Sequence, residues 1–238
     1  MFNNFFNFEK IFDAFNYVFW FFLLNLFFML FNIPLVLFFI FIGISNLFNY
    51  FPLFLICLLP TMPTFTVLLY CMNKIVFNKD LNVIKDFLNG IKLNFKQSFL
   101  IWSIEIIVLL ILYFNMRFFS LVKYNIFLIC LFSTVLIILF GVTPFIFMLI
   151  SKFKMKTIDI LRTSFILCFT RPILAIVNLL LFVFSLILFE ITPGTIILFI
   201  SSLLSFALIF INKALIQELE NMSKMQAFEN ISNQQNIL

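Results

Sequence analysis

The sequence has no histidine, only four glycines among 238 residues, and a charged fraction of 11%. A soluble domain is about a quarter charged. Without histidine the chain lacks the commonest metal ligand and the usual general base. Its four cysteines form no Cys-X-X-Cys pair and show no metal-ligand spacing. The sequence therefore predicts no enzyme, no metal site and no cofactor.

Apolar residues dominate the composition of the chain. Hydrophobic side chains make up 64% of the chain, and 41 residues are phenylalanine. No soluble fold of this length could bury that much apolar surface, so the solvent must be lipid. Phenylalanine is abundant together with isoleucine, asparagine and lysine, which indicates AT-rich codons and not an aromatic binding site.

Six apolar segments have about the 20 residues that a helix needs to cross a bilayer. These segments are residues 18–44, 51–72, 98–118, 125–150, 172–190 and 195–213. We predict an all-α, polytopic membrane protein with one six-span membrane domain, residues 18–217. Residues 1–17 are predicted to be a cytoplasmic interfacial tail, and residues 218–238 a polar cytoplasmic tail.

Two basic stretches, residues 73–97 and 151–170, separate the spans into three hairpins. Both repeat apolar residues at helical spacing, as Ile84, Leu88 and Ile91 do in the first. We predict two cytoplasmic amphipathic helices in the membrane surface, with their bases toward anionic headgroups. A solvated linker is the alternative. The candidate headgroup-binding residues are Lys79, Lys85, Lys92, Lys96, Lys152, Lys154, Lys156 and Arg162.

The distribution of basic residues predicts the orientation. If both stretches face the cytoplasm, only Arg117 and Lys123 of the 15 basic residues lie outside. We predict a multi-pass protein of a bacterial cell membrane with both termini cytoplasmic. Because the bases are concentrated in membrane-flanking stretches, anionic lipid is the expected partner and nucleic acid is not.

Prolines interrupt the first two spans. Pro34 predicts a kink in the first span. Pro60 and Pro63 stand three residues apart and predict a local loss of backbone hydrogen bonds in the second. Lipid offers no donors, so neighbouring helices or nearby threonine hydroxyls must satisfy the carbonyls at this break.

Glu105 is an acid well inside the third span, at a depth of about 10 Å from seven residues of helix. A charge inside a span costs about 2.5–3.5 kcal/mol, so Glu105 should face protein. Lys213 is its predicted ion-pair partner. The alternatives are that Glu105 is protonated and that the polar residues share its depth by chance. The candidate intramembrane polar layer consists of Asn25, Thr66, Glu105, Thr143, Asn178 and Lys213.

Four passages carry a family resemblance. They are Asn25-Leu-Phe-Phe with Pro34 downstream, Pro63 to Tyr70, Asp86 to Trp102, and the Pro144 segment. Over roughly residues 15–215 the chain resembles the YesL-like family of bacterial integral membrane proteins, domain of unknown function 624. Phe65 and Val67 stand where that family has small residues, so the resemblance does not imply a close helix contact there.

The resemblance implies a function class without implying catalytic residues. Proteins of this family are often encoded beside carbohydrate-uptake and carbohydrate-sensing genes. The expectation is a non-enzymatic accessory component of carbohydrate uptake or sensing, with other membrane transport subunits as partners. The alternative is a substrate-binding membrane subunit of a small-molecule transporter. Such subunits have small-residue motifs for a partner helix, and this chain is poor in alanine and glycine.

Overall fold

A computed structural model describes residues 8–120, 126–191 and 198–235, and their regular structure is helical. The helices are α1 Phe8–Phe31, α2 Ile33–Phe41, α3 Phe51–Cys57, α4 Thr61–Asn78, α5 Val83–Ser120, α6 Ile126–Lys152, α7 Thr157–Thr170, α8 Pro172–Ile191, α9 Ile200–Ile211 and α10 Lys213–Gln235. This confirms the predicted all-α class. The predicted starts of the fourth and sixth spans, residues 125 and 195, and the first seven residues of the predicted tail lie outside the described residues.

Three helical segments are each long and apolar enough to cross a membrane: Phe51–Asn78, which comprises α3, a short turn and α4, Val83–Phe119 and Ile126–Lys152. Three bent helix pairs pass the same test jointly. They are α1 with α2 at 72°, α7 with α8 at 100°, and α9 with α10 at 57°. The described part of the chain thus has three candidate spans, or six if each bent pair crosses once, and the six predicted segments fall on these six.

Helix α4 lies at the centre of the bundle and packs against α1, α5, α6 and α9. From Thr61 to Met72 its residues are apolar, threonine or tyrosine around the whole circumference, which is the pattern of a helix with no solvent face. Val67, Leu68 and Leu69 are buried, although three consecutive residues point to different sides of a helix. Other segments of the chain are therefore arranged around α4.

The first predicted span is broken close to Pro34. Helix α1 ends at Phe31, and Pro34 occupies the first turn of α2, where its missing N–H costs no helical hydrogen bond. The kink predicted there is present as a 72° bend. Helix α1 also runs from Phe8 through Tyr17 without a break, so the predicted boundary at residue 17 is not a helix end.

Helix α5 corrects the prediction for residues 73–97. Helix α4 continues to Asn78 and stops at Lys79, whose φ of 57° is left-handed. Helix α5 then runs unbroken from Val83 to Ser120, so the first amphipathic helix and the third span are one helix. Its 38 residues are about 57 Å long, well beyond a hydrocarbon core of about 30 Å.

The second amphipathic stretch differs because it ends at a proline. Helix α7 stops at Thr170, and Pro172 opens α8 at an angle of 100°. Proline disfavours the helical conformation of the residue before it, here Arg171, whose φ and ψ of −123° and 58° are not helical. No proline follows the first stretch before Ser120, and its helix therefore continues into the span.

Helices α4 and α5 approach closely at Gly90, beside Val67, one of the two positions where the chain departs from the family pattern. A Cβ at position 90 would lie 2.9 Å from Val67 Cγ1 and 3.0 Å from Tyr70 Cδ1. The small residue that allows this close approach is therefore Gly90 on α5 and not a residue of α4. Val67 is fully buried against this gap, so its larger side chain fills space that the glycine opens.

The predicted polar tail, residues 218–238, is helical as far as the structure describes it. Helix α9 ends at Ile211, Asn212 follows, and α10 runs from Lys213 to Gln235. The sixth predicted span, which extended to residue 213, is therefore interrupted by the 57° bend at Asn212. Three serines and one alanine in α9 allow it to pack closely beside α4.

Candidate functional site

The residues of the predicted polar layer do not meet in one cluster. Five of them are buried, and Lys213 is half-buried. The Thr66 hydroxyl donates to the carbonyl of Met62 in its own helix at 2.8 Å. The other buried members bond across different helix pairs. The layer is thus a set of separate contacts between helices.

Glu105 and Thr143 are brought together, but the predicted pair of Glu105 with Lys213 is wrong. The Thr143 hydroxyl is 3.3 Å from Glu105 Oε2, joining α5 to α6. Lys213 Nζ lies 5.9 Å from the centroid of the Phe77 ring instead. The bend at Asn212 is the physical reason, because Lys213 begins a new helix there and does not continue the span toward Glu105.

Two asparagines of the predicted layer each form a hydrogen bond between two spans. Asn25 Oδ1 accepts the backbone N–H of Ser201 at 3.1 Å, which ties α1 to the start of α9. Asn178 Oδ1 accepts from Asn212 Nδ2 at 2.8 Å. Asn212 also donates to the carbonyl of Leu208 at 2.8 Å, so one side chain supports the bend and links it to α8. Asn212 was not predicted, although it immediately precedes Lys213.

The break between α3 and α4 receives the donors that the sequence predicted. Thr61 Oγ1 and Trp102 Nε1 both donate to the carbonyl of Leu58, at 2.6 and 2.8 Å. Thr64 Oγ1 donates to the carbonyl of Pro60 at 2.7 Å. Threonine hydroxyls and a neighbouring helix thus satisfy these carbonyls without any group from outside the chain.

A hydrogen bond joins the α1–α2 break to the start of α4. Asn32, at the α1–α2 break, donates from Nδ2 to Thr64 Oγ1 at 2.9 Å and to the carbonyl of Phe28 at 2.8 Å. Both side chains are buried, and within the described residues Asn32 Oδ1 has no hydrogen-bond partner. Transporters build substrate and ion sites at such paired helix breaks. This meeting of two helix breaks is the interior feature that most resembles such a binding site.

The predicted headgroup-binding residues lie mostly on the surface. Seven of the eight are exposed, and Lys152 is the exception. Lys152 Nζ is 3.4 Å from Glu220 Oε2 and lies over the Phe77 ring at 4.2 Å. The apolar residues predicted to share this surface, Ile84 and Leu88, are also more than half exposed.

Two polar contacts near the basic surface escaped the sequence analysis. Lys74 Nζ is 2.6 Å from Asp86 Oδ1, and Asp86 Oδ2 accepts the backbone N–H of Asn82 at 3.0 Å. Asn73 Nδ2 donates to Ser151 Oγ at 3.0 Å. These contacts fasten α4 to the start of α5 and to the end of α6. An acid three residues after a helix start was the available signal for the first.

The cysteines and acids form no group that could hold a metal ion. Within the described residues, no three side chains of histidine, cysteine, aspartate or glutamate come together. The four cysteines are free thiols.

Comparison with known proteins finds one family model that matches part of the chain. No curated protein and no solved structure matches the chain. The family model that matches covers residues 21–116, a shorter range than the predicted resemblance, from the middle of α1 nearly to the end of α5. This range includes the Asn32–Thr64 bond and Gly90. Residues 21–116, less than half of the chain, are similar to the family described as "Protein of unknown function, DUF624", which agrees with the resemblance to domain of unknown function 624 carried by the sequence motifs.

Proposed function

We propose that this protein is a non-enzymatic integral membrane protein that acts as an accessory component of carbohydrate uptake or sensing. We place it in a bacterial cell membrane with both termini cytoplasmic. Its partners in this proposal are anionic lipids and other membrane transport subunits. The carbohydrate part rests on the family resemblance, and the accessory part rests on how the interior uses its polar groups.

The observation that carries the accessory function is the pairing of interior polar side chains with one another. Asn73 with Ser151, Asn178 with Asn212, and Thr143 with Glu105 each join two helices. The carbonyls of Leu58 and Pro60 also accept from donors of this chain. Side-chain hydrogen bonds of this kind stabilise the contacts between membrane helices. Within the described residues, one polar atom each of Asn73, Glu105, Asn178 and Asn212 keeps no partner, so the pairing uses part of their hydrogen-bonding capacity.

One observation favours the second candidate function, a substrate-binding membrane subunit. The α1–α2 and α3–α4 breaks meet at Asn32 and Thr64, and Asn32 Oδ1 has no partner among the described residues. A solute hydroxyl could donate to this oxygen. The accessory function remains the primary proposal because most of the donors and acceptors around this break are already paired.

The two functions can be separated with the purified full chain in lipid nanodiscs. A panel of neutral sugars is added, and the thermal unfolding temperature is measured. For an accessory protein, no sugar should raise that temperature, whereas deletion of the gene should lower the uptake or the induction of at least one carbohydrate system in cells. Restoration of the wild-type gene should reverse the loss.

A substrate-binding subunit would behave differently. One sugar would raise the unfolding temperature with saturation at one molecule per chain, and Asn32→Leu would abolish the shift. Asn178→Leu is the matched control, because it also removes one buried asparagine from a helix contact but lies away from the break. Saturable binding with this pattern would contradict the accessory function.

A further inference from the structure

A cavity of about 520 Å³ lies where α4, α5, the end of α6 and the link to α7 come together. Its volume is in the range of small-molecule sites, about 300–1,000 Å³. It lies on the surface that carries the predicted headgroup-binding lysines. The polar residues that line it are Tyr70, Asn94, Gln97, Ser151, Lys152, Lys154 and Lys156.

The walls of this cavity are held by hydrogen bonds. Gln97 Nε2 donates to the carbonyl of Met155 at 3.0 Å and lies 3.3 Å from Thr157 Oγ1, which fixes the α6–α7 link over α5. Asn73 Nδ2 bonds Ser151 Oγ at 3.0 Å and fixes the end of α6 to α4. The lysines of the link are therefore attached to a backbone that is already positioned.

The charge of the lining is positive. Three lysines and no acid line the cavity. Glu220 partly neutralises Lys152 at 3.4 Å. Lys154 and Lys156 form no ion pair with any residue that the structure describes. Two positive charges at this cavity are consequently unneutralised by the described part of the protein.

Two further features lie at the same cavity. Lys156, which lines it, is the N-cap residue of the 14-residue helix α7 and makes no side-chain capping bond, whereas the first-turn residues Thr157 to Asp159 are outside the lining. Asn94 is 8% exposed, and within the described residues its Nδ2 has no hydrogen-bond partner.

We propose that this cavity binds a phosphate group, carried either by an anionic phospholipid headgroup or by a free phosphorylated molecule. Lysine ammonium groups are typical phosphate-binding groups. Lys154 and Lys156 supply the charge, and Asn94 supplies an amide donor. The proposal does not depend on the link to carbohydrate uptake.

The test uses the purified full chain in a neutral detergent and three probes: inorganic phosphate, short-chain phosphatidylglycerol and short-chain phosphatidylcholine. Binding is followed by calorimetric titration and native mass spectrometry. We expect one saturable site for phosphate, phosphatidylglycerol or both, and none for phosphatidylcholine. Binding of phosphatidylglycerol alone identifies a lipid source. Binding of inorganic phosphate that competes with the lipid identifies a site for free phosphate as well.

Variants distinguish the cavity from general surface charge. Lys154→Gln with Lys156→Gln should weaken binding on the order of tenfold or more, because each lysine near an anionic group contributes a several-fold gain. The control is Lys85→Gln with Lys92→Gln, which removes the same charge from two predicted headgroup-binding positions outside the lining; it should lower diffuse attraction to phosphatidylglycerol and leave the affinity of the saturable site little changed. Replacement of both link lysines by arginine should retain it.

Asn94→Asp adds a carboxylate to the cavity wall and should abolish binding. Each variant must show the same cooperative unfolding as the wild type, which is expected for the exposed lysines. Equal weakening by the two glutamine pairs would overturn the proposal in favour of diffuse surface attraction. The absence of saturable binding of both anionic probes to the wild type would also overturn it.

Discussion

Replacement of Gly90 by alanine tests the packing of α4 against α5. The new Cβ would lie 2.9 Å from Val67 Cγ1 and 3.0 Å from Tyr70 Cδ1. Carbon atoms are at their best separation at about 3.5–4.0 Å, so the Cβ would be about half an ångström too close to both. Val67 is fully buried and β-branched, which leaves it no second rotamer in a helix.

The expected magnitude is the difference of two effects. An added methyl group in a well-packed core costs about 1–3 kcal/mol, and two stiff neighbours place this site in the upper part of that range. Alanine is favoured over glycine within a helix by about 1 kcal/mol, which offsets part of the cost. Gly90→Ala should therefore lower the free energy of unfolding by about 1–2 kcal/mol.

Gly141→Ala in α6 is the matched control. Its Cβ would meet a single neighbour, Cys168 Sγ, at 3.3 Å. The helix-propensity gain should roughly cancel that cost, and the stability should change little or rise. Val67→Ala should relieve part of the loss in Gly90→Ala, so the double variant should be more stable than additive losses predict.

The assay is reversible unfolding of the purified chain in mixed micelles, followed by tryptophan fluorescence. Trp102 is 5% exposed and should report on the opening of the bundle. If Gly90→Ala stabilises the protein as much as Gly141→Ala does, the close approach of α4 and α5 is wrong. Strictly additive effects of Gly90→Ala and Val67→Ala would refute the contact between these two residues.

Three further predictions use the same unfolding assay. Trp102→Phe, followed through the fluorescence of the other tryptophan, Trp20, removes the indole N–H from the carbonyl of Leu58 at the α3–α4 break and should cost about 0.5–1.5 kcal/mol, because Thr61 still donates to that carbonyl; no loss would mean that the bond is dispensable. Glu105→Gln and Lys213→Gln should have additive effects, since these side chains do not pair; a coupling above about 0.5 kcal/mol would contradict this. Asn178→Leu and Asn212→Leu should show a coupling of about 0.6 kcal/mol, the average for hydrogen bonds between membrane helices; zero coupling would remove that link.

The sequence was informative where a single residue determines the local backbone. Pro34 predicted the first break, and Pro60 with Pro63 predicted the second, because proline removes a hydrogen bond wherever it stands inside a helix. Apolar segments of about 20 residues predicted the candidate spans, because a helix of that length crosses the hydrocarbon core of a bilayer. Pro172 likewise marked the start of α8.

The sequence was uninformative where the structure depends on contacts between residues that are far apart in the chain. The polar composition of residues 73–97 predicted a separate surface helix, but composition alone does not break a helix, and α5 continues through it. The close contact at Gly90 depends on Val67, which belongs to another helix. Glu105 and Lys213 were matched by depth along straight spans, and the bend at Asn212 invalidates that estimate.

The most direct test of the account is the side of the membrane reached by two positions near opposite ends of α5. Tyr113 Oη donates to the carbonyl of Phe48 at 2.9 Å, so Phe48 lies beside the far end of this helix. Lys92 and Tyr113 are separated by about 31 Å of helix, the thickness of a hydrocarbon core. In a cysteine-free background, an impermeant thiol reagent should label Phe48→Cys in intact cells and Lys92→Cys only after permeabilisation. Labelling of both positions from the outside would contradict a membrane-spanning α5 with its basic end in the cytoplasm.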